Sequence, residues 1–160
     1  MLFFERGAHV TEADISIHSV IENLDDSGLA CGDAERTHVE ARGALSVTDG
    51  FVRAVWRESS DGGTVDSELL VEGDTVTVSR RGAIESTLVF KEGHTASSVY
   101  RISPYSFDSH LTARRVRVAL NDSCVGVTVI YDMEIGGARK LVKMKFKAES
   151  CESSEVEYGA

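Results

Sequence analysis

Apolar residues recur at every second position almost everywhere after residue 13, and no 11-residue window shows the three-to-four spacing of a helix with one buried face. Ile15, Ile17, Ser19 and Ile21 alternate with Ser16, His18, Val20 and Glu22, which predicts a first strand. The stretch from Asn23 to Arg36 holds two Gly and four acids and reads as a loop. Further strands are predicted at about 36–48, 51–58, 64–72, 75–81, 86–91, 96–102, 107–120, 125–135 and 138–148. Val, Thr and Ser fill them, and such side chains suit a pleated, half-buried surface.

Two hairpins fix which residues face each other. Gly136-Gly137 suits a two-residue turn with positive φ. That turn pairs Ile135 with Ala138, Tyr131 with Val142, Val129 with Met144 and Val127 with Phe146 on one face, and Glu134 with Arg139 on the other. A slip of one residue destroys this agreement. Lys143, Lys145 and Lys147 then share the outward face with Thr128 and Ile130. A turn at Gly73-Asp74 likewise pairs Val71 with Val76 and Leu69 with Val78, and carries the same face on to Ser67 and Arg80. If the valines point into the core, so does Arg80. Glu68 points to the opposite face in this register and Glu85 lies beyond the next turn, so no internal acid is visible to neutralise it.

Many antiparallel strands with short turns and almost no helix must protect their edges, and closure does so completely. The fold expected is an all-β, antiparallel up-and-down barrel of eight to ten strands, wide enough for a small interior cavity. A single domain of 160 residues is expected to bury about 70% of its unfolded surface, enough for a substantial core. That core spans about 13–148, and the ends, 1–12 and 149–160, read as flexible.

Charge is unevenly spread. Residues 1–75 carry 16 acids and 5 bases, residues 76–150 carry 7 acids and 12 bases, and the whole chain has a formal charge of −9. Such a balance repels nucleic acid at long range, so none is expected as a partner. No run of 18 apolar residues exists, and the first residues lack a basic start and a long apolar stretch, so neither a membrane nor a secretion signal is expected. Cys31, Cys124 and Cys151 are odd in number with no C-x-x-C spacing, which fits reduced thiols in the cytoplasm.

The run Ile17-His18-Ser19-Val20-Ile21-Glu22, the segment Val76-Thr77-Val78-Ser79-Arg80-Arg81-Gly82-Ala83, the Tyr100…Ser103-Pro104-Tyr105 turn and Ile130-Tyr131-Asp132-Met133-Glu134-Ile135-Gly136 resemble the YwiB-like family of small bacterial proteins. The order and spacing of the set carry the resemblance, which covers about residues 13–148. It implies a calycin-type, lipocalin-like β-barrel in the cytoplasm and transfers no activity. The family's Arg-x-Gly element falls on Arg80 and Gly82, and its aromatic residue before the Pro turn falls on Tyr100. Where the family usually has Gly soon after that turn, this chain has Ser106, and the 23–36 loop is longer here.

Catalytic signatures are missing: there is no G-x-S-x-G elbow, phosphate loop, dinucleotide glycine pattern or H-E-x-x-H helix. His9, His18, His38, His94 and His110 lack tight ligand spacing, so no metal and no cofactor is expected. Along 107–120, Phe107 and Leu111 suggest that odd positions face inward early, while Val116 to Leu120 put even positions inward later. Either a bulge switches the faces, or the even face is a polar row running into the barrel. In the second case His110, Thr112 and Arg114 join Arg80 around an anion, because guanidinium groups match carboxylates in a two-point fork. In the first they are solvated surface groups. Trp56 reads as core packing, and Lys143, Lys145, Lys147, Arg115 and Arg117 as a solvated outer face.

Two functions therefore compete. One is a barrel that binds a small amphipathic or carboxylate ligand through Arg80, Tyr100, His110, Thr112 and Arg114. The other is a barrel filled by its own side chains that acts as a protein-interaction module or homodimer. No catalytic set can be assembled, so an enzyme is not expected.

Overall fold

Ten antiparallel strands make one sheet in a computed structural model that describes residues 10–121 and 123–151. They are β1 (Val10–Leu24), β2 (Glu35–Thr48), β3 (Phe51–Ser60), β4 (Gly63–Glu72), β5 (Thr75–Gly82), β6 (Ser86–Lys91), β7 (Thr95–Ile102), β8 (Tyr105–Leu120), β9 (Cys124–Ile135) and β10 (Ala138–Ser150). Their order, β6-β5-β4-β3-β2-β1-β10-β9-β8-β7, is a meander in which the first strand closes against the last. The seam between β6 and β7 is narrowed by the pair Glu85 and Arg101, each of whose amides donates to the other's carbonyl at 2.8–2.9 Å. The result is a nearly closed up-and-down barrel. No helix among the described residues is long and apolar enough to cross a membrane.

Both hairpin registers hold. Tyr131 lies opposite Val142, Val129 opposite Met144 and Val127 opposite Phe146. Val71 faces Val76, and Ser67 faces Arg80. Gly136 and Gly137 have φ of 56° and 85°, a turn that only glycine adopts without strain. The lysines at 143, 145 and 147 are exposed, and Val127, Val129, Tyr131, Val142 and Phe146 are buried.

The ends depart from expectation. Val10 to Glu12 pair with β2, and Glu149 and Ser150 pair with β1, so the sheet takes in residues read as flexible. A ladder needs only backbone donors and acceptors, and the Cys151 amide donates to the Glu12 carbonyl at 2.9 Å. The rest of the expected flexible ends lies outside the described residues. None of the three cysteines forms a disulfide.

The core is not evenly distributed along the barrel axis. Ile15, Leu69, Val76, Phe90, Val127 and Val129 fill the end that carries the 49–50 and 73–74 turns, each at 2% exposure or less. Toward the other end, which carries the 24–35, 61–62, 83–85 and 136–137 connections, Val65 is still buried, but more of the inward positions are polar or only partly buried.

Candidate functional site

One inward row crosses four strands in that polar half: Trp56 on β3, Ser67 on β4, Arg80 on β5 and Ser86 on β6. Strict alternation places them there, because each is an even number of residues from a buried apolar position on its own strand. Trp56, Ser67 and Ser86 are buried and Arg80 is half-buried. Serine leaves space beside an arginine that a larger residue would fill.

Tyr131 on β9 reaches the same interior. Burial pushes its phenol up to about 12, and the positive charge of Arg80 opposes that shift, which places the guanidinium within electrostatic reach of the ring oxygen. Among the described residues neither Arg80 nor the Tyr131 hydroxyl makes a hydrogen bond, and Arg80 makes no ion pair. Phe90 supports the tyrosine, with ring centroids 4.8 Å apart. Tyr100 on β7 is half-buried on the face of Ser98, whose hydroxyl lies 2.9 Å from that of the buried Ser109 on β8.

An internal acid is present, against the sequence reading. Glu58 follows Val52, Ala54 and Trp56 on the inward face of β3, and its Oε2 accepts from Trp56 Nε1 at 2.7 Å and from Ser67 Oγ at 3.4 Å. Continuing the alternation of residues 52–56 by two positions finds it. Glu58 is 22 residues from Arg80 in sequence, yet β3 lies only two strands from β5 in the sheet. Glu58 is not in ion-pair contact with Arg80. Its partner is the indole.

Three expected site residues are not there. His110, Thr112 and Arg114 lie on the outer wall, where His110 Nδ1 is 2.9 Å from Ser97 Oγ and the Thr112 and Thr95 hydroxyls are 2.8 Å apart. Arg114 donates to both carboxylate oxygens of Asp132 at 2.6 and 2.9 Å. The register of β8 against β9 shifts between Ala113 and Arg115. Before this bulge Ser109, Leu111 and Ala113 face inward, and after it Val116 does. A bulge switches the faces, so the polar row never enters the barrel.

Open grooves on the outer wall include one of about 650 Å³ and one of about 580 Å³. The first is crossed by the ion pairs Arg57–Asp66 and Arg53–Glu68, and Arg81 also lines it. The second is lined by His18, Lys145 and Lys147. His18 and His38 stack with centroids 3.9 Å apart, but no group of three metal-ligating side chains occurs among the described residues.

The barrel has a solved counterpart. The crystal structure of the ywiB protein from Bacillus subtilis superposes with a TM-score of 0.78 over 92% of this chain and 98% of that one, at 23% identity. It is a likeness of fold. No curated protein matches the chain. The model of the DUF1934 family, a domain of unknown function, matches residues 15–147, from the second core position of β1 to the outward face of β10. With the barrel, its register and its sequence match in agreement, the chain belongs to the DUF1934, YwiB-like family.

Proposed function

We propose that the polar half of the barrel binds a small amphipathic carboxylate. Arg80 takes the carboxylate in a two-point fork, and Tyr100 and Tyr131 flank the apolar body. One observation carries this reading: Arg80 is held half-buried on the inner wall, within electrostatic reach of Tyr131, without an ion pair among the described residues. A cation removed from water is costly unless matched, and an anionic guest matches it. Glu58 on the neighbouring inward row orients the guest, because its negative charge turns a carboxylate away from the indole and toward Arg80. Binding is favoured over catalysis because His18, His38, His94 and His110 are all exposed, so among the described residues no imidazole lies beside an interior hydroxyl. A cytoplasmic location belongs to the same proposal, supported by three cysteines with no disulfide among them.

The test compares thermal unfolding of wild type and Arg80→Met against a panel of fatty and aromatic acids. At least one acid class should raise the wild-type Tm and leave the variant unmoved. Without ligand the variant should be no less stable, since methionine removes a charge that no group among the described residues neutralises. No shift with any acid, together with a destabilised variant, would refute the proposal and leave Arg80 a structural residue.

A further inference from the structure

β2 pairs with β1 from Glu35 to Ser46, but with β3 only from Ala44 to Thr48. The two strands part at Gly43, where the Val55 carbonyl sits so close that a Cβ would lie 2.1 Å from it. From Glu35 to Arg42, therefore, the edge facing away from β1 has no strand against it among the described residues, and every even-numbered side chain of this stretch is exposed. Such an edge is a template for another strand.

Proteins usually block an open edge with charge of one sign, so that two copies repel. This edge is built differently. Its outward residues are Arg36, His38, Glu40 and Arg42, and the first three form a sequence of charges that reverses about His38. When two copies pair antiparallel about a two-fold axis at His38, outward faces stay outward. Arg36 of each copy meets Glu40 of the other, and Thr37 meets Val39 on the inner face. Sliding by one pleat in one direction sets Arg36 against Arg42, and in the other it sets Arg36 against His38. Of these three, only the register centred on His38 sets Arg36 of each copy against an acid, while Arg42 keeps the ion pair with Asp14 of its own chain. Glu40 already holds His38 at 3.1 Å, which fixes its carboxylate along the edge.

Another stretch with a free side is closed from within the chain. Arg115–Leu120 on β8 pairs only with β9, but Glu92 accepts from the Val116 amide at 2.9 Å and pairs with Arg117 at 3.5 Å.

We propose that the Glu35–Arg42 edge of β2 pairs with the same edge of a second copy, making a symmetric dimer with one continuous sheet through both barrels. About seven residues per copy take part, a small contact, so the dimer is weak and concentration-dependent.

Sedimentation velocity on the full chain over a concentration series tests this with two exposed charge reversals. Wild type should pass from monomer to dimer. Arg36→Glu and Glu40→Arg each create two like-charge contacts per dimer and should weaken association by about tenfold or more. The double variant Arg36→Glu/Glu40→Arg should restore it, and an equimolar mixture of the two single variants should form a heterodimer. Circular dichroism checks that each variant folds. A wild type that stays monomeric at the highest soluble concentration, a dimer indifferent to both reversals, or a double variant as weak as the singles would overturn the proposal. The Arg80→Met variant should dimerise like wild type, which keeps this result separate from that of the ligand test.

Discussion

Removing one oxygen atom, in Tyr131→Phe, isolates the electrostatics of the barrel interior. The phenol is 7% exposed and titrates at about 12 in the folded chain against an unperturbed 10.0. The main cause is burial, which penalises the phenolate, and Arg80 offsets part of it. Between pH 10 and 12 the unfolded chain has lost the proton and the folded chain still holds it, so stability falls as pH rises. The full contribution is present below pH 10, and about 2.7 kcal/mol is lost by the time pH exceeds 12. At pH 11 the loss is about 1.4 kcal/mol. Phenylalanine has no proton to lose, and the other alkaline groups are common to both proteins, so the difference between them reports this residue alone. At pH 7 the two should agree within about 1 kcal/mol, because the hydroxyl has no hydrogen-bond partner among the described residues to forfeit. Urea unfolding from pH 7 to pH 11 should therefore show wild type losing stability relative to Tyr131→Phe above pH 10. Absorbance at the phenolate band should show one tyrosine titrating late. In Arg80→Met that tyrosine should titrate later still, since the opposing charge is gone. Parallel stability profiles for the two proteins, or a late tyrosine indifferent to Arg80, would refute this account of the interior.

Gly82→Ala should destabilise by several kcal/mol in denaturant unfolding, because its φ is 120° and the new Cβ would lie 2.4 Å from the Thr64 carbonyl oxygen, a backbone atom that cannot step aside. Phe90→Ala should cost about 3–5 kcal/mol by the same measurement, since the ring is fully buried and supports Tyr131. Thiol titration of denatured, unreduced protein should find about three groups per chain, and one group would mean a disulfide between two of Cys31, Cys124 and Cys151.

The strands and two of their registers were legible because both signals are local. Period-two alternation names the face of each residue, and a two-residue turn such as Gly136-Gly137 or Gly73-Asp74 fixes the pairing on either side of it. Arg80 could be set on the face of Val76 and Val78 by counting alone. Glu58 was equally within reach of counting, but its importance depends on β3 lying two strands from β5, a neighbourhood the chain order shows only once the barrel is drawn. The direction of His110, Thr112 and Arg114 was open for a different reason. Both faces of residues 107–120 carry apolar and polar groups, so alternation gives two answers, and the bulge at Ala113–Arg115 decides between them.

The sequence by itself determined the class of fold, the strand positions and the inward turn of Arg80, since these follow from the geometry of a single extended chain and its tight turns. Only the tertiary structure decided that Arg80 comes within electrostatic reach of Tyr131, that Glu58 is held by Trp56, and that β2 leaves an edge open on the Glu35–Arg42 side of Gly43. Those relations join residues tens of positions apart, and their distances depend on how far each strand is sheared and splayed when the sheet closes, which no local spacing encodes.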